Sequence, residues 1–162
     1  MNESEFQKHL KIDTYQVLFM GSKMPFPLNM FIHTWVVTIE NGVAHRYDVW
    51  AHKNRCESSR GYLHVDLYKP WVGVRKIFSK NADPDSPRSS SFLLYTLQGG
   101  EGSTAQAMVK YIAQSLDMYP YTGTYRYFPG PNSNTFTSWV LRNFLHVSFR
   151  LPWRAVGKGY CK

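Results

Sequence analysis

The sequence has no run of about 18 consecutive apolar residues, the length that a helix needs to cross the hydrocarbon core of a bilayer. It therefore predicts no transmembrane helix. The first residues, Met1 to Glu5, are polar and acidic and are not typical of a signal peptide, so we expect a cytoplasmic protein. Hydrophobic residues make up 43% of the 162-residue chain, which favours a folded core over disorder. We expect a single domain over residues 1–162.

Cysteine is scarce, with only Cys56 and Cys161 in the chain. Neither belongs to a CxxC pair or a His/Cys cluster, so the sequence predicts no metal site. The two residues allow either one disulfide or two free thiols, and the sequence does not decide between them. Gly99-Gly100 precedes a helix but lacks the GxxxxGK pattern of a phosphate loop, so we expect no cofactor.

Acidic residues are also few, 11 against 19 lysines and arginines, for a net charge of +8. Such a balance favours acidic partners. The basic residues are scattered, and no lysine-rich arm or nucleic-acid-binding motif is present. The sequence therefore does not favour nucleic-acid binding, although a basic surface remains available to another acidic partner.

Short apolar strands separated by turns, with two amphipathic helices late in the chain, predict an α+β fold built on an antiparallel sheet. The predicted strands cover 15–20, 30–39, 43–50, 61–68, 92–97 and 122–128. The predicted helices cover a short lead within 1–12, then 105–116 and about 134–144, and the main predicted loops are 21–29, 51–60 and 81–91.

The turn at Glu40-Asn41-Gly42 can be closed in two ways. A two-residue Asn-Gly loop would place His33 opposite Trp50, and a three-residue loop would place it opposite Val49. We prefer the longer loop because it separates the side chains more cleanly between the two faces. One face would then carry His33, Trp35, Val37, Ile39, Val43, His45, Tyr47 and Val49, and the other Thr34, Thr38, Arg46 and Asp48.

The stretch 128–136, with the sequence FPGPNSNTF, predicts an irregular turn that leads into a helix. Its Asn, Ser and Thr residues are all common helix caps. The pattern places Ser133 where backbone N–H groups and the positive end of the helix dipole converge. A serine at a helix start is more often a cap than a nucleophile, but the position also suits an activated nucleophile beside an oxyanion site.

A serine hydroxyl needs a base within hydrogen-bond reach, and histidine is the usual one. His33 is the candidate base. A third group must orient the imidazole. His45 shares its face in the preferred register but would lie on the order of 13 Å away at about 3.3 Å per residue. Tyr47 would be nearer, and Asn132 or Asn134 would also serve, so the sequence leaves this third role open.

Several segments together resemble an uncharacterised bacterial family, domain of unknown function 3750. The most specific is PGPNSNTF at 129–136. The others are Tyr119-Pro120, His33-Thr34-Trp35 and the closing segment 155–160, AVGKGY. The resemblance covers most of the chain, but the family carries no established activity.

A more distant resemblance concerns a His-x-Trp strand, a glycine hairpin and a later Asn-Ser-x-x-Phe that opens a helix. This order is similar to circularly permuted papain-like folds, which include lecithin:retinol acyltransferase-like enzymes and NlpC-type peptidases. Their motif has cysteine where Ser133 stands here. The resemblance implies Ser133 as nucleophile, His33 as base and His45 as orienting group.

Together these patterns predict a hydrolase or acyl-transfer enzyme that acts on an amide or ester. Its substrate would be a small molecule, a peptide or a lipid. Asn132, Asn134 and Tyr47 would contact the substrate, and the N–H groups at the start of the 134–144 helix would bind the oxyanion. The alternative is a non-catalytic binding module that retains a papain-like cleft and offers its basic surface to an acidic partner.

Overall fold

The computed structural model describes residues 1–74 and 91–160. The predicted loop at 81–91 therefore lies outside the described residues, except for Ser91. Within the described residues six strands form one antiparallel sheet in the order β4-β5-β3-β2-β1-β6. The strands are β1 (Tyr15–Lys23), β2 (Ile32–Glu40), β3 (Val43–Val49), β4 (Ser59–Arg60), β5 (Leu63–Val65) and β6 (Ser91–Gly99). The predicted α+β class with an antiparallel sheet is confirmed.

Four helices accompany the sheet in the described part of the chain. They are α1 (Glu3–Gln7), α2 (Thr104–Ala113), α3 (Ser115–Met118) and α4 (Ser133–Arg142). The side chain of Ser103 caps α2 by accepting a hydrogen bond from Gln106 N. None of these helices has the length and apolar character required to traverse a bilayer.

The strand predicted at 122–128 is wrong, because this tyrosine-rich segment is irregular, with a turn at 122–123 and a bend at 127–128. Its backbone N–H groups donate to carbonyl groups a few residues away in the chain, and not to a neighbouring strand of the described sheet. Thr124 N donates to Tyr121 O at 3.1 Å, and Arg126 N donates to Pro131 O at 2.8 Å. With those groups satisfied, the segment has no requirement for a strand partner.

The β2–β3 hairpin closes with two residues, so the preferred three-residue loop is wrong. Glu40 pairs with Val43, and Asn41 and Gly42 have φ values of 51° and 76°. Positive φ at both central residues is typical of a type I′ turn, which matches the twist of the flanking strands.

This one-residue difference turns β3 over relative to the prediction. Thr38 pairs with His45 and Val37 pairs with Arg46, so His45 and Tyr47 leave the face that carries His33. Asp48 takes their place on that face, together with Arg46. A single step of register moves every side chain of a strand to the opposite face.

Both faces of the sheet are buried. Helices α2 and α4 cover the face that carries Val17, Phe19, Val36, Tyr47 and Val49, where Met108 and Phe136 complete the core. The opposite face carries Leu18, Met20, Trp35, Val37 and Ile39 and is covered by Phe6 and Trp71. Burying each such large apolar side chain contributes about 1.5–3 kcal/mol relative to exposure.

Candidate active site

Helix α4 begins at the start of β2 and is held there by side-chain hydrogen bonds. The Thr34 hydroxyl lies 2.8 Å from Asn134 Oδ1 and 2.9 Å from Thr137 Oγ1. Asn134 Nδ2 donates to Ile32 O at 2.9 Å. These bonds place the first residue of α4, Ser133, against the strand that carries His33.

The cap of α4 is Asn132 and not Ser133. The Asn132 Oδ1 atom accepts hydrogen bonds from Asn134 N at 3.0 Å and Thr135 N at 3.2 Å. The Thr135 hydroxyl completes a capping box by accepting from Asn132 N. Because Asn132 satisfies the helix start, the Ser133 side chain is not needed there as a cap.

The two asparagine amides are fully used within the protein. Asn132 Nδ2 donates to Tyr127 O and Val156 O, and Asn134 Nδ2 donates to Ile32 O and Val156 O. The backbone at Gly157 (φ +95°) passes so close that a Cβ there would collide with the Asn132 amide. Both amides therefore tie the chain segments around the site together, which differs from the expectation that they contact substrate.

The Ser133 hydroxyl lies 3.0 Å from His33 Nδ1. Their side chains come from positions one hundred residues apart and are 3% and 5% exposed, respectively. This separation is normal for a hydrogen bond between a hydroxyl and an imidazole, and it is the distance at which proton transfer takes place.

The other ring nitrogen of the histidine contacts a carboxylate that sequence reasoning missed. His33 Nε2 lies 2.8 Å from Asp48 Oδ1, and Asp48 is 1% exposed. The two residues are diagonal neighbours across the β2–β3 ladder, a relation that brings longer side chains into contact on one face. Ser133, His33 and Asp48 thus form a continuous chain of hydrogen bonds.

The second oxygen of Asp48 is held by three donors. Arg46 Nε and one of its terminal nitrogens lie 3.1 and 2.6 Å from Oδ2, and Trp50 Nε1 lies 2.7 Å from the same atom. Burial by itself would raise the pKa of Asp48. The charges of His33 and Arg46, with their hydrogen bonds, outweigh that effect and hold the pKa below its usual value.

Arg46 is itself buried and fully engaged. Its remaining terminal nitrogen donates to Lys69 O and Val72 O at 2.9 and 2.7 Å, and the guanidinium lies 4.0 Å from the ring centre of Trp35. A buried carboxylate is tolerated only when paired and hydrogen-bonded in this way. The Arg46–Asp48 pair therefore keeps a negative charge in place directly behind the imidazole.

This arrangement selects the tautomer of His33. Because ionised Asp48 can only accept, Nε2 carries the proton whenever the imidazole is neutral, and the lone pair of Nδ1 then points toward the Ser133 hydroxyl. The Trp50 ring packs 4.5 Å from the His33 ring and limits its rotation. The geometry is that of an oriented general base next to a hydroxyl.

Ser133 and His33 line a cleft of about 370 Å³. Its walls come from the segment before β2, from Tyr125, Tyr127 and Phe128, and from Val156. The lining side chains other than the site residues are Met24, Leu28, Phe31, Ile32, Tyr125, Tyr127, Phe128 and Val156. No lysine, arginine, aspartate or glutamate is among these described lining residues.

The Tyr125 hydroxyl is a polar group of this cleft that makes no hydrogen bond to another described residue. Burial raises the pKa of this phenol, with smaller contributions from Tyr127 and from the charge of Asp48. The group therefore stays protonated at neutral pH and is able to donate.

The structure does not bring His45 and Tyr47 into this cluster. His45 Nδ1 lies 2.6 Å from Asp66 Oδ2 in a pair that is about half exposed. Tyr47 packs in the core under the helices, and its hydroxyl bonds to Thr38. Both residues were predicted near His33 because the three-residue hairpin loop would have put them on its face of the sheet. The observed register puts them on the opposite face.

The predicted oxyanion donors also need correction. The N–H groups of Asn134 and Thr135 both donate to Asn132 Oδ1, so they are occupied by the cap. The N–H of Ser133 donates to no acceptor among the described residues. Since Phe136 N donates to Asn132 O, the N–H of Ser133 alone in the first turn of α4 has no acceptor among the described residues.

A second serine–histidine pair lies on the neighbouring strands β4 and β5, where His64 is the register partner of Asp48. The Ser59 hydroxyl is 2.7 Å from His64 Nδ1, and His64 Nε2 is 2.9 Å from the backbone oxygen of His52. Ser59 Oγ also accepts from Cys56 N at 3.0 Å. Cys56 is a free thiol, and Cys161 lies outside the described residues.

Among residues 1–74 and 91–160, no three or more His, Cys, Asp or Glu side chains come together in a way that would hold a metal ion. The polar groups of the site instead pair with one another. What the arrangement can do chemically therefore depends on the hydroxyl, the imidazole and the carboxylate.

Fold and site together define an α+β domain with a buried Ser–His–Asp cluster beside an apolar cleft. The chain belongs to the DUF3750 family, described as proteins of unknown function, whose model matches residues 14–160. That match confirms the family resemblance seen in the sequence. No curated protein and no solved structure matches the chain, so the permuted papain-like arrangement stays a prediction.

Proposed function

We propose that this protein is a serine hydrolase or acyl transferase that acts on an ester or amide. The observation that carries the proposal is the unbroken series Ser133 Oγ–His33 Nδ1–His33 Nε2–Asp48 Oδ1, with steps of 3.0 Å between Ser133 and His33 and 2.8 Å between His33 and Asp48. It opens onto a cleft large enough for a small substrate, since such sites span about 300–1,000 Å³.

In the first half of the reaction Ser133 Oγ attacks the substrate carbonyl carbon while its proton moves to His33 Nδ1. The imidazolium is stabilised by Asp48, which remains ionised. When the tetrahedral intermediate collapses, the bond to the leaving alcohol or amine breaks, and that group takes the proton from Nδ1. The product of this half is an acyl ester on Ser133.

The second half reverses these roles. Water, or an acceptor alcohol or amine, attacks the acyl carbon and gives its proton to His33 Nδ1. Collapse of this second intermediate releases the acyl product and returns the proton to Ser133 Oγ. Water as acceptor makes the protein a hydrolase, and another acceptor makes it a transferase.

The oxyanion formed in each half needs donors placed around it. The Ser133 N–H is one, and the positive end of the α4 dipole adds to it. We assign the second to the Tyr125 hydroxyl, because it lines the cleft, stays protonated and has no acceptor among the described residues.

A fluorophosphonate probe tests the proposal directly, because it phosphonylates only activated serines. We expect one probe per chain, mapped to Ser133 by peptide mass spectrometry, and no labelling of Ser133→Ala. Ser59→Ala is the matched control and should label like the wild type. Labelling that persists in Ser133→Ala, or no labelling of the wild type, would contradict the proposal.

The binding-module alternative makes a different prediction for Ser133→Cys. A thiolate forms more readily than an alkoxide at a helix N-terminus. If the machinery is intact, this variant should hydrolyse p-nitrophenyl butyrate with a burst that reflects acyl-enzyme accumulation. A folded variant that shows no burst would favour binding without catalysis.

A further inference from the structure

The cleft beside Ser133 and His33 shows which part of a substrate it would hold. Apart from the site residues, its lining consists of aliphatic and aromatic side chains. A charged substrate group would lose its hydration there without gaining a partner, which is costly. The excess positive charge of the chain therefore has no role inside the cleft.

The polar groups that border the cleft also fail to match a peptide. Recognition of a peptide backbone needs free amide donors and acceptors. The amides of Asn132 and Asn134 are both spent on backbone carbonyls, with Asn132 Oδ1 also capping α4. The lining thus offers contact area rather than directional hydrogen bonds.

The mouth of the cleft is apolar as well. Leu28 and Phe128 line it and are 43% and 78% exposed, and the nearby Phe26 is 86% exposed. Exposed apolar residues scattered singly are normal, but a group of them next to a cleft marks a binding surface. The exposed end of the cleft therefore presents apolar side chains to an entering hydrocarbon.

We infer that the acyl half of the substrate is an uncharged hydrocarbon chain, bound between the 24–32 segment and the side chains of Tyr125, Tyr127 and Phe128. This inference rests on the proposed function for the position of the carbonyl, which Ser133 attacks at the inner end of the cleft. The leaving group then points away from the chain-binding walls, and the substrate is a fatty-acyl ester or amide rather than a peptide.

The test is the dependence of kcat/KM on chain length in p-nitrophenyl acetate, butyrate and octanoate. Each methylene buried in the cleft should raise kcat/KM by up to about fourfold. We therefore expect octanoate to exceed acetate by at least about tenfold. Hydrolysis that is equal along the series, or fastest for acetate, would overturn the inference and leave the hydrolase intact.

Leu28→Asp locates the effect in the cleft. Leu28 is half-exposed, so the variant should fold, and a carboxylate at the mouth should lower kcat/KM for octanoate more than for acetate. The matched control is Leu145→Asp, the same change at a 77% exposed leucine outside this cleft. Equal effects of the two variants on octanoate would contradict the assignment.

A binding measurement separates this inference from the proposed function. Ser133→Ala titrated with octanamide and with acetamide reports affinity without chemistry. Tighter binding of octanamide that Leu28→Asp weakens would support the apolar site even if no ester is hydrolysed, in which case the hydrolase proposal alone fails. Equal or undetectable binding of both amides would overturn the inference.

Discussion

The chain holds two serine–histidine pairs whose local geometry is almost the same. In each, a serine hydroxyl meets the Nδ1 atom of a histidine, at 3.0 Å for Ser133–His33 and 2.7 Å for Ser59–His64. In each, Nε2 faces an oxygen acceptor at 2.8 or 2.9 Å. Distance alone therefore does not distinguish a candidate catalytic pair from a structural one.

The charge of the acceptor does distinguish them. His33 faces the Asp48 carboxylate, whereas His64 faces the neutral backbone oxygen of His52. Burial lowers the pKa of His64, and the bond to His52 and the charge of Asp48 on the paired strand oppose this only in part. Both acceptors select the same tautomer, but only a carboxylate stabilises the imidazolium that forms when a serine gives up its proton.

The surroundings of the two serines differ as well. Ser133 is the first residue of α4 and lines the cleft, while Ser59 begins strand β4 directly after a turn and accepts the N–H of Cys56. A hydrogen-bonded serine–histidine pair is thus a candidate catalytic pair only when a carboxylate contacts the histidine and the serine hydroxyl borders a cleft.

The largest effect should come from giving His33 a neutral partner, as His64 has. In Asp48→Asn the donors Arg46 and Trp50 hold the amide oxygen on their side, so the NH₂ group faces His33 Nε2. That contact protonates Nδ1 and removes its lone pair from Ser133. We expect hydrolysis of p-nitrophenyl butyrate to fall by about 10⁴-fold in kcat, the effect of this change in a well-studied serine protease triad.

Asp66→Asn is the matched control for Asp48→Asn, because Asp66 also pairs with a histidine, His45, in an exposed position. It should leave kcat within about threefold, as expected for an exposed pair of little energetic value. Asp48→Asn also leaves Arg46 without a charged partner, so circular dichroism must show a folded protein. Near-normal activity in folded Asp48→Asn would show that the two pairs are functionally alike.

A smaller effect on kcat should follow from removing the Tyr125 hydroxyl, which lines the cleft beside Ser133. Tyr125→Phe keeps the ring in the cleft but loses the assigned oxyanion donor. Loss of one such donor typically lowers kcat by about 10²–10³-fold, and KM should change little. Tyr62→Phe is the control, since Tyr62 packs against Tyr125 but does not line the cleft. A fall in kcat of less than about threefold for Tyr125→Phe would exclude this role.

The sequence was sufficient to find two members of the cluster. The polar run before an apolar helical pattern located the start of α4, and the strand pattern located His33. The α+β class and the family follow from the same features. These signals are local, so they survive without knowledge of the tertiary structure.

Asp48 was missed because the register was chosen by the wrong criterion. Sorting polar from apolar side chains works when one face of a sheet meets water. Here the face of Trp35 is also buried, under Phe6 and Trp71, and it conceals the paired charges Arg46 and Asp48. The Asn41-Gly42 dipeptide, the strongest short-range signal of a two-residue hairpin, would have given the correct register.

The smallest expected effect is on the pH dependence of the free energy of unfolding. We expect it to come from His64 of the Ser59–His64 pair. The pKa of His64 is lowered in the folded protein from its ordinary value of 6.5. On acidification the unfolded chain therefore takes up a proton before folded His64 does. The contribution of neutral His64 to the free energy of unfolding is complete above about pH 6.5. It is lost as the pH falls below that value, by at most about 1.4 kcal/mol per pH unit for one such group.

His64→Gln should flatten this loss, because glutamine does not titrate. The variant is expected to be less stable than the wild type near neutral pH, yet its free energy of unfolding should decrease less between about pH 7 and pH 5. Urea unfolding at both pH values measures the difference. His45→Gln, at a half-exposed histidine, is the control and should follow the wild type. If the free energy of unfolding of His64→Gln fell with pH as steeply as that of the wild type, His64 would be charged in the folded protein. The two pairs would then not differ through the charge of the acceptor at Nε2.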